Sequence, residues 1–220
     1  MQRIEISRRT LGLDQRRERE KQDRRDSILD AAEQIFFTKG FEKSSMDEIA
    51  RTAQLSRALL YVYFKDKAAI MRGLMLRAGE ALRNRFAEAM EHSDVGAEQI
   101  EHIGRAYYRF SIEMPDYFDV LTQASTFEHL ADEDDQSAAL HACATQAMNM
   151  MIAALHQGVA DGSLSRERVA DPVMTAFYLR GALHGVIMQG SKSSEMDPTR
   201  PDLEELVDYT LQMLNQSMRP

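Results

Sequence analysis

Apolar residues recur every three or four positions along most of this 220-residue chain, the spacing that places them on one face of an α-helix. Between residues 24 and 67 the pattern consists of three short runs separated by turn residues, and beyond residue 67 the runs are longer. No segment shows the sustained alternation of apolar and polar residues that is typical of a β-strand. The pattern therefore predicts an all-α protein of about nine helices.

Helix start and stop signals divide residues 24–67 into three helices. Gly40 follows the first apolar run, as expected at a helix C-terminus. Ser45 opens the second helix with Glu48 three residues later, which is a capping box. Ser56 can cap the third helix. Two short helices joined by a tight turn are typical of the helix-turn-helix, which places its second helix in the major groove of DNA.

The third helix is expected to carry the residues that read DNA. Arg57 can pair bidentately with guanine or hold a phosphate, and Ala58 and Leu59 can contact thymine methyl groups. Hydroxyl and ammonium groups beside such a helix can hold phosphates, which fixes the register without reading sequence. The predicted DNA contacts are Ser45, Ser56, Arg57, Ala58, Leu59, Tyr61, Tyr63 and Lys67.

One set of residues runs through all three N-terminal helices: Ile28, Leu29, Ala31, Ala32, Phe36, Gly40, Ile49, Ala50, Ala53, Ser56, Leu60, Tyr61, Tyr63, Phe64 and Lys67. With these residues, segment 24–70 closely resembles the DNA-binding domain of the TetR/AcrR family of bacterial transcription regulators. Three positions depart from the family pattern. Gln54 replaces a usual Gly in the turn, so a non-glycine residue must make this turn, and a positive φ is open to it. Ala58 and Leu59 stand where members often carry Gly and Ser or Thr.

Charge is unevenly distributed along the chain. The net charge is −8, yet residues 1–67 hold 15 Lys and Arg against 12 Asp and Glu, whereas the remainder holds 12 against 23. A mildly basic N-terminal part on an acidic body favours a DNA-facing end. Residues 1–23 form a charged extension ahead of the DNA-binding domain at 24–67. This extension either lengthens the first helix or acts as a basic arm in the minor groove, with Arg8 and Arg9 as candidate contacts.

Residues 68–220 are predicted to form a helical regulatory and dimerisation domain. The resemblance implies that the last two helices make a four-helix dimer interface, so that a homodimer binds a palindromic double-stranded operator. Small residues allow helices to cross closely, either in that interface or within one chain. The residues assigned to the interface are Gly181, Gly185, Leu206 and Leu214. The predicted helices cover about 67–91, the segment up to 114, the segment from 115, 137–159, 172–190 and the segment from 201.

The resemblance also implies a small-molecule pocket between the middle helices. Aromatic and Met side chains make adaptable pocket walls, although a packed core is the simpler explanation for any one of them. An apolar or amphipathic effector bound there would favour a body conformation whose two DNA-binding heads are wrongly spaced for the operator. The predicted lining is Phe86, Tyr107, Phe110, Met114, Tyr117, Phe118, Phe127, Met151 and Phe177.

The sequence argues against an enzyme and against a bound cofactor or metal. It contains no paired Glu-x-x-His motifs, no HExxH, no Gly-rich phosphate loop and no nucleophile elbow. Two alternatives stay open within the DNA-binding class. One is a TetR-like protein without a small-molecule ligand, with an architectural or protein-regulated role, and the other is an activator instead of a repressor.

The cellular compartment is expected to be the cytoplasm. The single cysteine, Cys143, cannot form an internal disulfide, which fits a reducing compartment. A buried structural thiol is favoured there over a redox sensor. The N-terminus lacks the apolar segment of a secretory signal. The longest apolar stretch contains Arg180 and His184, so no membrane span is expected.

Overall fold

The computed structural model describes residues 2–122, 135–191 and 201–220, with side chains over 15–122, 137–190 and 201–220. All regular secondary structure in these ranges is helical, which confirms the predicted fold class. The helices are α1 (Gln2–Lys39), α2 (Met46–Thr52), α3 (Arg57–Tyr63), α4 (Lys67–Met90), α5 (Gly96–Glu113), α6 (Pro115–Thr122), α7 (Asp135–Asp161), α8 (Pro172–Ser191) and α9 (Leu203–Met218).

The chain folds as two compact units. The first unit runs to Leu74 and the second begins at Met75, so the division falls within α4. Residues 2–23 are part of α1, which shows the helical form of the N-terminal extension. Arg8 and Arg9 therefore lie on a helix and not on an extended arm.

The predicted capping signals of the first unit are confirmed. Gly40 ends α1 at a φ of +85°, and its N–H donates to the Phe36 carbonyl over 2.9 Å. The Ser45 hydroxyl accepts from the Glu48 N–H, and the Glu48 carboxylate accepts from the Ser45 N–H. The Ser56 hydroxyl accepts from the Leu59 N–H and so caps α3. These caps fix where α2 and α3 begin, because they satisfy N–H groups that a helix start leaves unpaired.

The turn between α2 and α3 contains a non-glycine residue whose backbone has the left-handed conformation. Gln54 has a φ of 56°, as the departure from the usual glycine allowed. Ile28 on α1, Ile49 on α2 and Leu60 on α3 are all fully buried. α2 contacts both α1 and α3, so the three helices form one small packed unit.

A close crossing of α5 and α7 organises the second unit. A Cβ atom added at Gly96 would lie 2.0 Å from the Gly158 backbone nitrogen, so the two helices meet backbone to backbone. Ala154 and Leu155 of α7 are fully buried beside this crossing. The sequence pattern did not single out Gly96 or Gly158.

A polar cluster joins α5 to α9. Arg105 forms ion pairs with Glu101 at 3.1 Å and with Asp208 at 2.6 Å. The buried Asn215 side chain donates to the second oxygen of Glu101 over 3.0 Å. The cluster therefore links two helices that are about one hundred residues apart in sequence, and it fixes their register.

The bounds of α7 and α8 and the start of α9 all lie within two residues of the predicted positions. Gly162, with a φ of +79°, follows the last residue of α7. Asp171 accepts from the first N–H groups of α8. The prediction that Pro201 starts the last helix is wrong by two residues, because Asp202 accepts from two backbone N–H groups and so acts as the N-cap.

One described helix is long and apolar enough to cross a membrane by composition alone. It covers Ser137–Asp161, with a mean hydropathy of 1.2. In the structure this segment of α7 packs against α5 and α8, and Ala154 and Leu155 lie in the core of the second unit. A core helix of this kind meets the same composition test, so the finding is only a weak indication of a membrane span.

Candidate nucleic-acid interface and regulatory site

The exposed face of α3 is a narrow arc of four residues. Arg57, Ala58, Tyr61 and Val62 are exposed, whereas Leu60 is fully buried. The four share one side because successive helical residues turn by about 100°, so that positions i, i+1, i+4 and i+5 stay together. This arc is the surface that α3 can place against DNA bases.

The predicted reading face differs from the exposed arc at three positions. Leu59 and Tyr63 are only half-exposed and flank the arc, so their DNA contacts stay predictions. Val62 was missed, although 75% of its surface is exposed. Its spacing of four from Ala58 is the signal that would have identified it.

The Arg57 guanidinium is held by two neighbours. Its Nε lies 3.2 Å from Asp47 Oδ1, and its Nη1 donates to Asp47 Oδ2 over 3.3 Å. The guanidinium also lies over the Tyr61 ring, 5.6 Å from the ring centre. Contact with Tyr61 and attraction to Asp47 raise the pKa of Arg57. The arginine is thus oriented in the free protein.

The side chain of Lys67 binds the loop between α1 and α2, so the predicted phosphate contact is not supported by its surroundings. Its ammonium donates to the carbonyls of Phe41 at 2.6 Å and Ser44 at 3.1 Å, with Glu42 at 3.4 Å. It also lies over the Phe41 ring. Because an ammonium has three N–H groups, these carbonyls use its donor capacity.

The hydroxyl of Ser45 is also occupied. It donates to Glu48 Oε2 over 2.8 Å while it accepts from the Glu48 backbone. Glu48 in turn pairs with Lys39, and the bonds from Lys39 and Ser45 lower the pKa of Glu48. Ser45 and Ser56 therefore act as helix caps here, and their phosphate contacts stay predictions.

Arg25 ties the end of α3 to α1. Its Nη1 donates to the Tyr63 carbonyl over 3.3 Å, and its guanidinium lies 4.5 Å from the centre of the Phe64 ring. This contact satisfies a carbonyl at the helix C-terminus, where cations are favourable. No local pattern in the sequence predicts this contact, because 38 residues separate the partners.

A groove of about 540 Å³ lies between α1 and the end of α3. Arg17, Lys21 and Arg24 line it, spaced four and three residues apart on one side of α1. Two acidic residues, Glu20 and Asp23, also line it, and Glu20 pairs with Arg16 at 2.8 Å. The groove thus places cations of the N-terminal extension beside Tyr63, although its lining carries both signs of charge.

An aromatic cluster with one hydrogen-bonded polar pair lies in the second unit. The Tyr107 hydroxyl is 2.8 Å from His184 Nδ1, and the Phe118 ring lies within about 6 Å of both rings. Burial raises the pKa of Tyr107 to about 12. Burial and the nearby Arg180 lower the pKa of His184. Tyr107 therefore keeps its proton near neutral pH, and its hydroxyl forms one hydrogen bond with His184 Nδ1.

Most of the predicted pocket residues lie inside the second unit. Phe177 is the exception, because 49% of its surface is exposed and it lies beneath Arg180, so the prediction that it lines the interior is wrong. Phe127 lies outside the described residues. The other side chains are buried or half-buried: Phe86, Tyr107, Phe110, Met114, Tyr117, Phe118 and Met151. They form parts of two neighbouring core clusters.

α8 and α9 carry an exposed apolar surface. A Cβ atom at Gly181 or Gly185 would meet nothing within 4 Å among the described residues, so neither glycine serves a close crossing with another described helix. Leu206 and Leu214 are half-buried. The large apolar side chains exposed on these two helices are Val173, Met174, Phe177, Tyr178, Tyr209 and Met213. We refer to them as the α8–α9 apolar surface.

Cys143 and the histidines show no sign of reactive or metal chemistry in the described part of the chain. Cys143 is buried, and burial raises the pKa of its thiol, which disfavours the reactive thiolate. Among the described residues, no three His, Cys, Asp or Glu side chains come together as metal ligands. These features favour the structural interpretation of Cys143.

A capped helix-turn-helix with an exposed arginine on its second helix, followed by a helical body, defines a DNA-binding regulator of transcription. Comparison with known families gives the same class. The model of bacterial regulatory proteins of the tetR family matches residues 28–74, and that of the tetracyclin repressor-like C-terminal domain matches residues 100–214. The chain belongs to the TetR/AcrR family. Members of this family are transcription factors and not enzymes.

Individual relatives agree with this assignment. The chain is 36% identical over 72 residues to the transcriptional regulator UidR of Escherichia coli, covering 33% of this chain and 37% of UidR. It is 41% identical over 54 residues to the transcriptional repressor BepR of Brucella suis, covering 24% and 26%. It thus matches 37% of the length of UidR and 26% of the length of BepR.

A solved structure extends the likeness to the whole fold. The regulator FadR of Bacillus subtilis, in complex with stearoyl-CoA, has a TM-score of 0.64 at 17% identity, covering 88% of this chain and 98% of FadR. At this identity the likeness shows the shared fold alone.

Proposed function

We propose that this protein is a cytoplasmic, ligand-responsive repressor that binds a palindromic operator as a homodimer and is released by a small apolar or amphipathic effector. The proposal rests on the α8–α9 apolar surface. This surface can form the contact between two subunits, and an operator with two half-sites requires such a dimer. The name of the similar protein BepR supports repression.

The dimer is supported by what lies exposed on two adjacent helices. Large apolar side chains are rarely clustered at a surface unless something covers them. Tyr178 and Met174 are 63% and 68% exposed, and Gly181 leaves room for the backbone of a second helix. A second copy of this chain would cover this surface symmetrically, since two-fold interfaces use the same patch on both subunits.

The effector site is proposed within the aromatic cluster around Tyr107. Aromatic and Met side chains with a few polar groups are typical of small-molecule sites. The Tyr107–His184 pair is a polar group of this kind among the rings of Phe86 and Phe118. FadR, which shares the fold, holds stearoyl-CoA, so the fold is compatible with an amphipathic effector.

Release follows from the difference in effector affinity between two body conformations. An effector that binds one conformation better shifts the population towards it, typically with about 1–3 kcal/mol of coupling. If the favoured conformation spaces the two α3 helices differently from the ~34 Å between half-sites, operator affinity falls. The same coupling requires operator DNA to weaken effector binding by an equal factor.

The proposal is tested by selecting random duplex DNA on the purified protein and sequencing what binds. A palindrome with two short half-sites is expected, together with a dimer mass in light scattering. Enrichment of a single half-site, or a monomer mass with the palindrome still bound, would refute the dimeric arrangement.

A second experiment addresses the effector. Compounds that raise the protein's melting temperature, with stearoyl-CoA among the probes, are added to the complex with the selected operator. Release of DNA by a stabilising compound is expected. Stabilisation without release would instead favour the alternative, a TetR-like DNA binder that small molecules do not regulate. An operator placed upstream of a promoter that the protein stimulates would indicate an activator.

A further inference from the structure

We infer that Asp47 is a positioning residue for base recognition: its carboxylate fixes the Arg57 guanidinium so that α3 prefers one base at one position of each half-site. The inference rests on the proposed reading of DNA by α3. Asp47 belongs to a different helix from Arg57, and the sequence alone did not associate the two.

The geometry of the Asp47–Arg57 pair indicates that Asp47 orients the Arg57 guanidinium and does not merely neutralise its charge. Both carboxylate oxygens of Asp47 are used, one facing Nε and the other Nη1, at 3.2 and 3.3 Å. The Arg57 Cζ also lies 5.6 Å from the centre of the Tyr61 ring. The contacts of Nε and Nη1 with Asp47 leave Nη2 as the terminal group without a contact to Asp47. An arginine held in this way has already lost part of the side-chain freedom that base pairing would otherwise remove.

Asp47 is itself held by its place in α2. It is in the first turn of the helix, directly between residues of the Ser45 capping box, and Ile49 anchors the same helix in the core. The carboxylate therefore has a fixed origin, whereas Arg57 is long and flexible. This asymmetry makes Asp47 the residue that orients and Arg57 the residue that is oriented.

The pair contributes little to folding. The side chains of Arg57 and Asp47 are 64% and 56% exposed, and exposed ion pairs add little to stability because water and salt screen them. A carboxylate near DNA also repels phosphates. Its presence at the DNA-facing end is explained if the ordering of Arg57 increases discrimination between bases by more than the repulsion lowers affinity.

The test uses the full-length protein and the operator obtained by selection. Affinities of wild type, Asp47→Asn and Arg57→Ala are measured for the operator and for every single-base variant of one half-site. Asp47→Asn is expected to lose roughly tenfold in discrimination, within the range of a bidentate base contact, and only at the position that Arg57→Ala also affects. Affinity for unrelated DNA is expected to rise, because one repulsive charge is gone.

Glu42→Gln is the matched control. It removes one negative charge from an exposed position in the same unit, so it should raise affinity for all DNAs and leave discrimination unchanged. The double variant Asp47→Asn/Arg57→Ala should lose no more discrimination at that position than Arg57→Ala alone. Melting temperatures identify any variant that fails to fold.

One result would overturn the inference. If Asp47→Asn behaves like Glu42→Gln and raises DNA affinity with full discrimination, Asp47 is only a competitor of DNA for Arg57. Failure of the proposed function is distinguishable, because the wild-type protein would then select no operator at all.

Discussion

At the scale of single residues, the contacts of Lys67 indicate a different role from the one that its charge and position in the sequence predict. In the sequence Lys67 flanks the helix that is predicted to read DNA, which predicts a phosphate contact. In the structure its ammonium is directed at three loop carbonyls. Lys67 therefore holds the conformation of residues 41–44, which lead into α2, and we expect it to act on DNA binding only through them.

Replacing Lys67 by Met is expected to destabilise the protein by about 1–3 kcal/mol, because carbonyls that accept from a charged donor lose it. DNA binding should weaken on all sequences, but the slope of log K against log salt should stay unchanged. A lost phosphate contact would instead reduce the slope by about 0.9. Urea unfolding and binding at several salt concentrations measure both. Lys43→Met, on the exposed part of the same loop, is the control for the loss of one positive charge. A salt slope that is reduced by Lys67→Met and not by Lys43→Met would support the predicted phosphate contact of Lys67.

A second residue-scale prediction concerns Gly96. Its substitution by Ala should destabilise the second unit by about 1–3 kcal/mol or more, because the new methyl group would meet backbone atoms of α7 that cannot rotate away. The midpoint of urea unfolding measures this. Arg109→Ala on the exposed side of α5 should be close to neutral. An equally small effect at Gly96 would mean that the helices can separate there at little cost.

His184 should make folding stability depend on pH. Burial lowers its pKa below the ordinary 6.5, so below pH 6.5 the unfolded chain binds a proton that the folded chain does not. Stability from the neutral His184 is therefore fully present above pH 6.5 and is lost as the pH falls towards the folded pKa. Unfolding free energies between pH 5 and 8 should show this loss for the wild type and a smaller one for His184→Gln. Equal pH dependence of the two proteins would exclude His184 as the cause.

At the scale of helices, α8 and α9 differ from the rest of the second unit in what they leave uncovered. Their buried residues, such as Leu183 and Val207, complete the core. Their opposite side carries the α8–α9 apolar surface, which nothing in the described chain covers. α8 is apolar on both sides, which explains why a single stripe is hard to recognise in its sequence, whereas α9 keeps one clear apolar stripe.

Tyr178→Glu should convert the dimer to a monomer without unfolding it, because 63% of the side chain is exposed within one chain and a charge is costly in an apolar interface. Operator affinity should fall steeply, since two heads no longer bind together. Sedimentation velocity and operator titration measure the two effects. Ile112→Glu on α5, at an exposed apolar position outside the α8–α9 apolar surface, is the control. A dimer that survives Tyr178→Glu would place the interface elsewhere.

At the scale of the whole molecule, the sequence predicted what local signals determine. The ends of helices at Gly40, Ser45 and Asp171 depend on residues within four positions of each other. The fold class also depends on local signals, because helical periodicity is a local pattern. The resemblance located the DNA-binding helices for the same reason, since its motif is one continuous segment.

Features that join distant segments could not be predicted in this way. The contact of Gly96 with Gly158 and the pairing of Asp47 with Arg57 depend on how helices pack, and no spacing rule indicates them. The exposed surface of α3 was only partly predicted. Leu59 and Val62 are three positions apart on the same helix, and the packing of the first unit decides which of the two side chains is exposed. The same limit explains why Phe177 was assigned to the interior.

Exposed and buried residues lie on separate sides of α3, which bears on how the DNA sequence that the protein recognises could be altered. Leu60 and Phe64 attach the helix to its neighbours, whereas Ala58 and Val62 make no contribution to the buried core of the first unit. Affinity for a new DNA sequence could therefore be selected from libraries randomised at the exposed arc, with most members still folded. Asp47 would belong in such a library only where an arginine is kept at position 57, so the two positions should be randomised together and not independently.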